Sequence, residues 1–267
     1  MPVLNHPNAA SYDYHLKRIA EIIRLDGNIN DEVRGLNYIF IMFTNRSGSN
    51  FLSECISSSG NYNLATEFLN YDVVEKTCEV DASIRSFGEY FSAIALSDNV
   101  DGTFCAKLSC EHLFALCATG IMTQIMENST FVLIERSDKV DQAISFDLAV
   151  KSNIWSSYWE RAGEITQEEI FDVQNVFDGC YSIIERNNIF EMFIVDNMAM
   201  AVKVLYEDVV INPETCLARI SEKIGKPIPY IATNVEIKKQ ADRGKTASKS
   251  KLLAEVRSRL SVSHMAN

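Results

Sequence analysis

No run of about 18 consecutive apolar residues occurs anywhere in the chain, so a membrane-spanning helix is not expected. The opening residues, MPVLNHPNAASYDYH, lack the basic stretch and apolar run of a secretory leader, and a cytoplasmic chain is the expectation. Cys-x-x-Cys is also absent. The seven cysteines (Cys55, Cys78, Cys105, Cys110, Cys117, Cys180 and Cys216) are odd in number and scattered. That pattern points to reduced, mostly buried thiols rather than a disulfide framework or a metal site. The four histidines, His6, His15, His112 and His264, show no ligand spacing, and no metal is expected. Positive charge is scarce as well: 25 Lys and Arg face 36 Asp and Glu, for a net charge of −11. A nucleic-acid surface needs Lys and Arg in numbers, so that class of partner is excluded, whereas one small anion in a local basic pocket is not.

What the chain does have is a globular balance, 47% apolar and 23% charged, over 267 residues. This suits one α/β domain with a sizeable core. Leu16, Ile19, Ile22, Ile23 and Leu25 recur at helical spacing, and a polar turn is expected over 26–35. Tyr38–Phe43 is a continuous apolar run, as in a strand buried on both faces. Phe51, Leu52, Cys55 and Ile56 then return to helical spacing, up to a stop at Gly60. A second strand-to-helix unit starts at Thr130–Ile134 and passes through Glu135-Arg136-Ser137-Asp138 into a helix over about 138–151. A long amphipathic helix is expected over about 167–196. A third strand, Ala201–Leu205, leads through Tyr206-Glu207-Asp208 to a helix from Pro213 to Ile224, stopped by Gly225. Strands alternating with helices predict a central parallel sheet with helices on both faces. The chain reads as one domain, with an N-terminal helical extension over 1–35, a core over 36–245 and a C-terminal helix over 246–267.

The loop Asn45-Arg46-Ser47-Gly48-Ser49-Asn50 joins the first strand to a helix. A helix N-terminus offers unpaired N–H groups and a partial positive charge. Gly48 lets the backbone approach a ligand closely, Ser47 and Ser49 add hydroxyls, and Arg46 adds a fixed charge. By itself the loop fits an anion site and a serine-capped turn equally. It does not fit a triphosphate–magnesium loop, because G-x-x-x-x-G-K-[ST] is missing.

Four blocks, in order, resemble the bacterial trehalose 2-sulfotransferase family: N-R-S-G-S-N-F-L, T-E-F-L-N-Y (Thr66–Tyr71), R-S-D-K-V-D-Q-A-I-S (Arg136–Ser145) and K-Q-A-D (Lys239–Asp242). Ala106-Lys107-Leu108 is a lesser echo, and the resemblance spans roughly 36–245. Three departures stand out: residues 1–35 have no counterpart, Ser137 follows Arg136, and Arg243-Gly244-Lys245 replaces a Trp and an aromatic-basic pair.

The resemblance implies a P-loop-like sulfotransferase fold that uses 3′-phosphoadenosine-5′-phosphosulfate (PAPS) and leaves the 3′,5′-bisphosphate (PAP). Asn45 to Asn50 would hold the 5′-phosphosulfate, and Arg136 with Ser145 the 3′-phosphate. Glu67 would be the general base, Arg46 would stabilise the leaving phosphate, and Lys107 would assist. Lys239 and Arg243 would close over the cofactor, although a solvated basic loop is the plainer reading of 238–250. The acceptor implied is a sugar or glycolipid hydroxyl, and a homodimer is compatible. His112 lies in an apparently helical segment and reads as structural, and Trp155 and Trp159 read as core or subunit contact. The competing readings are a kinase-like transferase and an inactive nucleotide-binding or interaction protein.

Overall fold

In the computed structural model the described residues are 12–152, 155, 173–236, 250, 254 and 255. The elements run α1 (Tyr14–Ala20), α2 (Asp31–Arg34), β1 (Asn37–Phe43), α3 (Ser49–Ser57), α4 (Tyr71–Val80) and α5 (Phe87–Asp98). They continue as β2 (Thr103–Leu108), α6 (Cys110–Ala118), α7 (Ile121–Ile125), β3 (Ser129–Glu135), α8 (Lys139–Ser152), α9 (Val173–Asp196), β4 (Met200–Leu205), α10 (Tyr206–Ile211) and α11 (Pro213–Ile224). Within the segment expected to be a polar turn, Asn30 caps the one-turn helix α2 by accepting from Val33 N–H. The expected C-terminal helix lies outside the described residues, apart from isolated positions.

Residue contacts fall into two compact units. The first comprises 1–137 and 186–236, and the second 138–185 and 237–267. The first holds a four-stranded sheet in the order β2-β1-β3-β4, with every pairing parallel. Three of its strands are the runs legible in the sequence. The fourth, β2, appears in the sequence only as an apolar stretch ending at Lys107.

Alternation along the strands divides the core into two. Tyr38, Phe40, Met42, Phe104, Ala106, Leu108, Phe131 and Leu133 face one layer, which contains Ile19 of α1, Val74 of α4, Phe87 and Tyr90 of α5, Leu113 of α6 and Phe190 of α9. Ile39, Ile41, Phe43, Cys105, Val132, Ile134, Val202 and Val204 face the other, with Leu52 of α3, Val209 of α10 and Leu217 of α11. Both faces are therefore covered, as continuous apolar strands require. Ile19, Ile23, Ile29 and Val33 belong to the first layer, so the segment ahead of β1 is part of this core.

Helix ends follow local chemistry. Ser86 and Glu89 form a reciprocal capping box on α5, and Ser109 and His112 form one on α6. Proline opens α11, and Gly225 at φ 69° closes it. In the second unit, Ala143 and Ile144 of α8 pack on Val176 and Ile183 of α9. A Cβ on Gly179 would stand 3.3 Å from the Ala143 methyl carbon, so the small residue allows the two helices to approach. Among the described residues no helix is long and apolar enough to cross a membrane.

The topology also fixes where a ligand can sit. Because β1 has β2 on one side and β3 on the other, the chain reverses its direction of winding there, and the crevice opens beyond the C-terminal ends of these strands. Phe43 pairs with Ile134, and Ile134 with Val204, so the residues that follow the three strands emerge along one edge.

Phe131 sits at the centre of the sheet, with ring centroids 5.7 Å from Phe40 and 5.4 Å from Phe193, and it is fully buried. Phe131→Ala should lose about 3–5 kcal/mol of unfolding free energy. Urea denaturation measures this, and a loss below about 1 kcal/mol would contradict the packing described.

Candidate active site

The loop after β1 is shaped by two residues in left-handed conformation, Arg46 at φ 65° and Gly48 at φ 92°. For arginine that conformation is uncommon and costs energy, as at many functional sites. Gly48 is the N-cap of α3, and no side chain caps the helix, so its first N–H groups face the loop without a side-chain acceptor. Ser47 is fully buried, and its Oγ has no hydrogen-bond partner among the described residues. Ser49 is buried, Asn50 and Arg46 are half-buried, and Asn45 is exposed.

Arg136 follows β3 and comes close enough to Arg46 for their charges to interact. Burial first, and the Arg136 charge second, push the Arg46 guanidinium below its usual range. Tyr206, the residue after β4, lies between these features. Its ring carries the Arg136 guanidinium 5.0 Å from its centroid, and a Cβ on Gly48 would come within 2.1 Å of its Cδ2. Glycine is therefore demanded twice at 48, by φ and by the tyrosine. Beside them, the Ser137 N–H donates to the Glu207 carboxylate at 3.1 Å. The result is two like charges, a helix N-terminus and an orphaned hydroxyl at one corner of the sheet.

The second cluster adjoins the start of α3. Thr66 forms an isolated parallel bridge with Ala106, the Lys107 N–H donates to the Thr66 carbonyl at 2.9 Å, and Asn63 exchanges two hydrogen bonds with the Cys105 backbone. The segment carrying Glu67 is thereby tied along β2. Lys107 Nζ is buried, lies 2.9 Å from Glu67 Oε1, donates to Asn50 Oδ1 and sits 5.2 Å from the Phe43 ring centroid. Lys107 is therefore a buried, paired cation rather than a solvated strand-end lysine. Burial pushes the Glu67 carboxyl up, but the Lys107 charge and hydrogen bond, helped by His112 and His15, outweigh it and hold the group below its ordinary value.

The structure thus brings Asn45–Asn50 together with Arg136, and brings Glu67 together with Lys107 and Asn50. Ser145 is half-buried on α8 in the second unit. Lys239 and Arg243 lie outside the described residues, as does Trp159, while Trp155 meets Phe146 edge-on at 6.0 Å.

Two contributors escaped the sequence reading. Tyr206 had a signal, since it directly follows a strand just as Arg136 does. His15 had none, because nothing in the spacing links it to residues 67–112. Its ring lies 5.0 Å from that of His112. His112 is buried, accepts from the Ser109 N–H at 3.3 Å and hydrogen-bonds the Lys107 backbone; burial, reinforced by His15, lowers it to about 4.

A parallel α/β sheet with two guanidinium groups and a helix N-terminus at its switch point, beside a paired carboxylate, is an arrangement suited to an anionic ligand. The family model described as Stf0 sulphotransferase matches residues 115–249, just over half of the chain, and the chain belongs to that family. It is a sulfotransferase. The match covers Arg136, Ser145, Lys239 and Arg243, while the 45–50 loop and Glu67 precede it. No curated protein matches the sequence. Among solved structures, mouse sulfotransferase SULT7A1 complexed with PAP is similar at a TM-score of 0.45 and 14% identity, over 84% of this chain and 68% of that one.

Buried His112 and half-buried His15 give a pH signature. His112 at about 4, against 6.5 for the free side chain, means that the unfolded chain binds more protons between those values. His15 is lowered too, by burial. Their contribution is complete above about 6.5 and is lost as pH falls towards 4. The depressed carboxyls Glu67 and Glu111 add their losses only below the ordinary carboxyl range. Unfolding free energy should fall by on the order of 1 kcal/mol per pH unit between about 6.5 and 4.5, and His112→Gln should flatten that slope. Urea midpoints across this range measure it, and an unchanged slope in the variant would refute the assignment.

Proposed function

We propose that this sulfotransferase moves a sulfuryl group from PAPS to a hydroxyl of a small acceptor, a carbohydrate or glycolipid, with Glu67 as general base. The observation that carries the donor assignment is the anion corner. Two guanidinium groups that repel each other, beside the orphaned Ser47 hydroxyl and an uncapped helix N-terminus, are stabilised by a bound polyanion. Those residues fit the donor's phosphates. When bound, the donor supplies the activated sulfuryl group.

The chain's own residues divide the remaining work. Arg46 and the N–H groups at the start of α3 hold the phosphosulfate and take up charge on the leaving phosphate oxygen. Arg136, steadied on the Tyr206 ring, meets the 3′-phosphate. Glu67 orients the acceptor hydroxyl and removes its proton. Held low by Lys107, Glu67 is ionised at neutral pH but is a weak base. The same ammonium bonds Asn50 of α3, on the side of the anion loop. A shift of the Lys107 charge towards the donor's sulfonate would weaken the main influence that opposes burial, so that Glu67 rises and becomes the stronger base that transfer requires.

Titration with PAP, with ATP–magnesium as the control, tests the donor. Binding to the native state alone should add about 2.7 kcal/mol at a hundredfold excess over Kd, read as a rise in Tm. Arg46→Ala and Arg136→Ala should lose that rise, while Glu67→Gln should keep it and transfer sulfuryl about 10²–10⁴-fold more slowly. An equal rise with ATP–magnesium would put the kinase-like reading ahead.

Lys107→Met gives a separate test. Removing the charge that lowers Glu67 should move the acid limb of the kcat/KM–pH profile to higher pH. A shift in the opposite direction, or none, would remove Lys107 from the role assigned to it.

A further inference from the structure

The register of the sheet carries past the ends of its strands. Ile134 pairs with Val204 and Glu135 with Leu205, so Arg136 stands level with Tyr206, and Ser137 with Glu207. A contact is made at both levels. The Arg136 guanidinium lies 5.0 Å from the centroid of the Tyr206 ring, and the Ser137 N–H donates to the Glu207 carboxylate, at 3.2 and 3.1 Å from its two oxygens. Two successive residues after β4 thus hold two successive residues after β3, one through a side chain and one through the backbone. The same tyrosine ring meets the 45–50 loop, because a Cβ on Gly48 would overlap its Cδ2 and Cε2. Tyr206 therefore stands against both loops that carry the arginines. Its presence opposes the drift that like charge on Arg46 and Arg136 would otherwise cause.

We propose that Tyr206 and Glu207 are positioning residues that fix the separation of the 5′-phosphate and 3′-phosphate sites, and through it the preference for a 3′,5′-bisphosphate over a 2′,5′-bisphosphate. The inference rests on the donor assignment. Ribose is a small ring, so the spacing of its two phosphates is set by where they are attached. Moving one phosphate from 3′ to 2′ keeps the charge and changes that spacing. Cationic loops free to adjust would bind both isomers by charge alone. Loops locked on one rigid ring would not, because a displaced phosphate loses charge-assisted hydrogen bonds that depend on direction as well as distance. Glu207 sharpens the argument. A carboxylate beside a phosphate site repels the ligand, so its contribution there is its hold on the Ser137 N–H, which fixes how Arg136 leaves β3.

Calorimetry on the full chain, with PAP and adenosine 2′,5′-bisphosphate as the two probes, reads the effect as a ratio of Kd values. The wild type should favour PAP about tenfold or more, the worth of one charge-assisted hydrogen bond. Tyr206→Ala and Glu207→Ala should bring that ratio down to about threefold or less, mainly through weaker PAP binding. Tyr206→Phe, which keeps the ring, should preserve the ratio. Glu207→Gln, whose amide oxygen can still accept from the Ser137 N–H, should tighten both isomers together and preserve it as well. A merely structural role would weaken both isomers in parallel, and an unmoved ratio in the alanine variants would overturn the proposal. So would a wild type that binds the isomers equally. Absence of PAP binding to the wild type would overturn the donor assignment and the spacing with it, whereas binding with an unmoved ratio overturns the spacing alone. Glu207 is partly exposed, so its variants decide the matter even if Tyr206→Ala fails to fold.

Discussion

An ammonium group with almost no access to water must be surrounded by partners, because an unpaired buried charge is strongly destabilising. Lys107 is such a group, and its partners come from three separate parts of the chain: Asn50 in α3, Glu67 in the 63–70 segment and the face of Phe43 in β1. Satisfying that one charge brings the start of the helix that follows the 45–50 loop next to the carboxylate. The backbone bridge from Thr66 to Ala106 and the Asn63 clamp on Cys105 keep that carboxylate-bearing segment in place. The spacing between the two halves of the site thus follows from how a buried cation is neutralised.

Charge is also divided in space. The chain is strongly acidic overall, yet Arg46 and Arg136 are set near one another beside the start of α3, while the carboxylates of Glu67 and Glu111 and two neutral histidines occupy the other cluster. Each arrangement costs stability when taken alone. Arg46 carries an unfavourable backbone angle and a like-charged neighbour, Ser47 a hydroxyl with no partner among the described residues, and His112 a lowered affinity for its proton. Such local costs persist where the surrounding structure fixes the geometry, and they gather where a ligand relieves them.

The sequence revealed the parallel α/β character through three short, largely apolar runs, each leading through a polar segment to a helical pattern. It did not mark β2, TFCAKL, as a strand of the sheet: the apolar stretch ends at a lysine whose partners are distant in sequence. Tyr206-Glu207-Asp208 read only as the link to the helix at Pro213 but opens a short helix with Tyr206 against Gly48. Of the site, the residues next to strand ends were readable, because parallel pairing sends all of those ends to one edge. The coupling of His15 to Tyr71 and His112 was not. It depends on the placement of α1 over α4 and α6, which no local pattern encodes. The same limit applies to Lys107: its residue type was suggestive, but its burial arises only once β2 lies beside β1.

The central position of β1 has a consequence for how the protein is made. Asn37 pairs with Thr103 and Tyr38 with Ser129, so during synthesis β1 receives neither neighbour until at least 66 further residues (103 − 37) have been added. At roughly 5–20 residues per second, six consecutive core side chains wait on the order of 3–13 s without a partner strand. During that interval the helices already made, α1 to α5, which are local and quick to form, are what can shelter them. The capping box that fixes the start of α5 then matters for biogenesis, since it helps hold a shelter in place before the sheet exists.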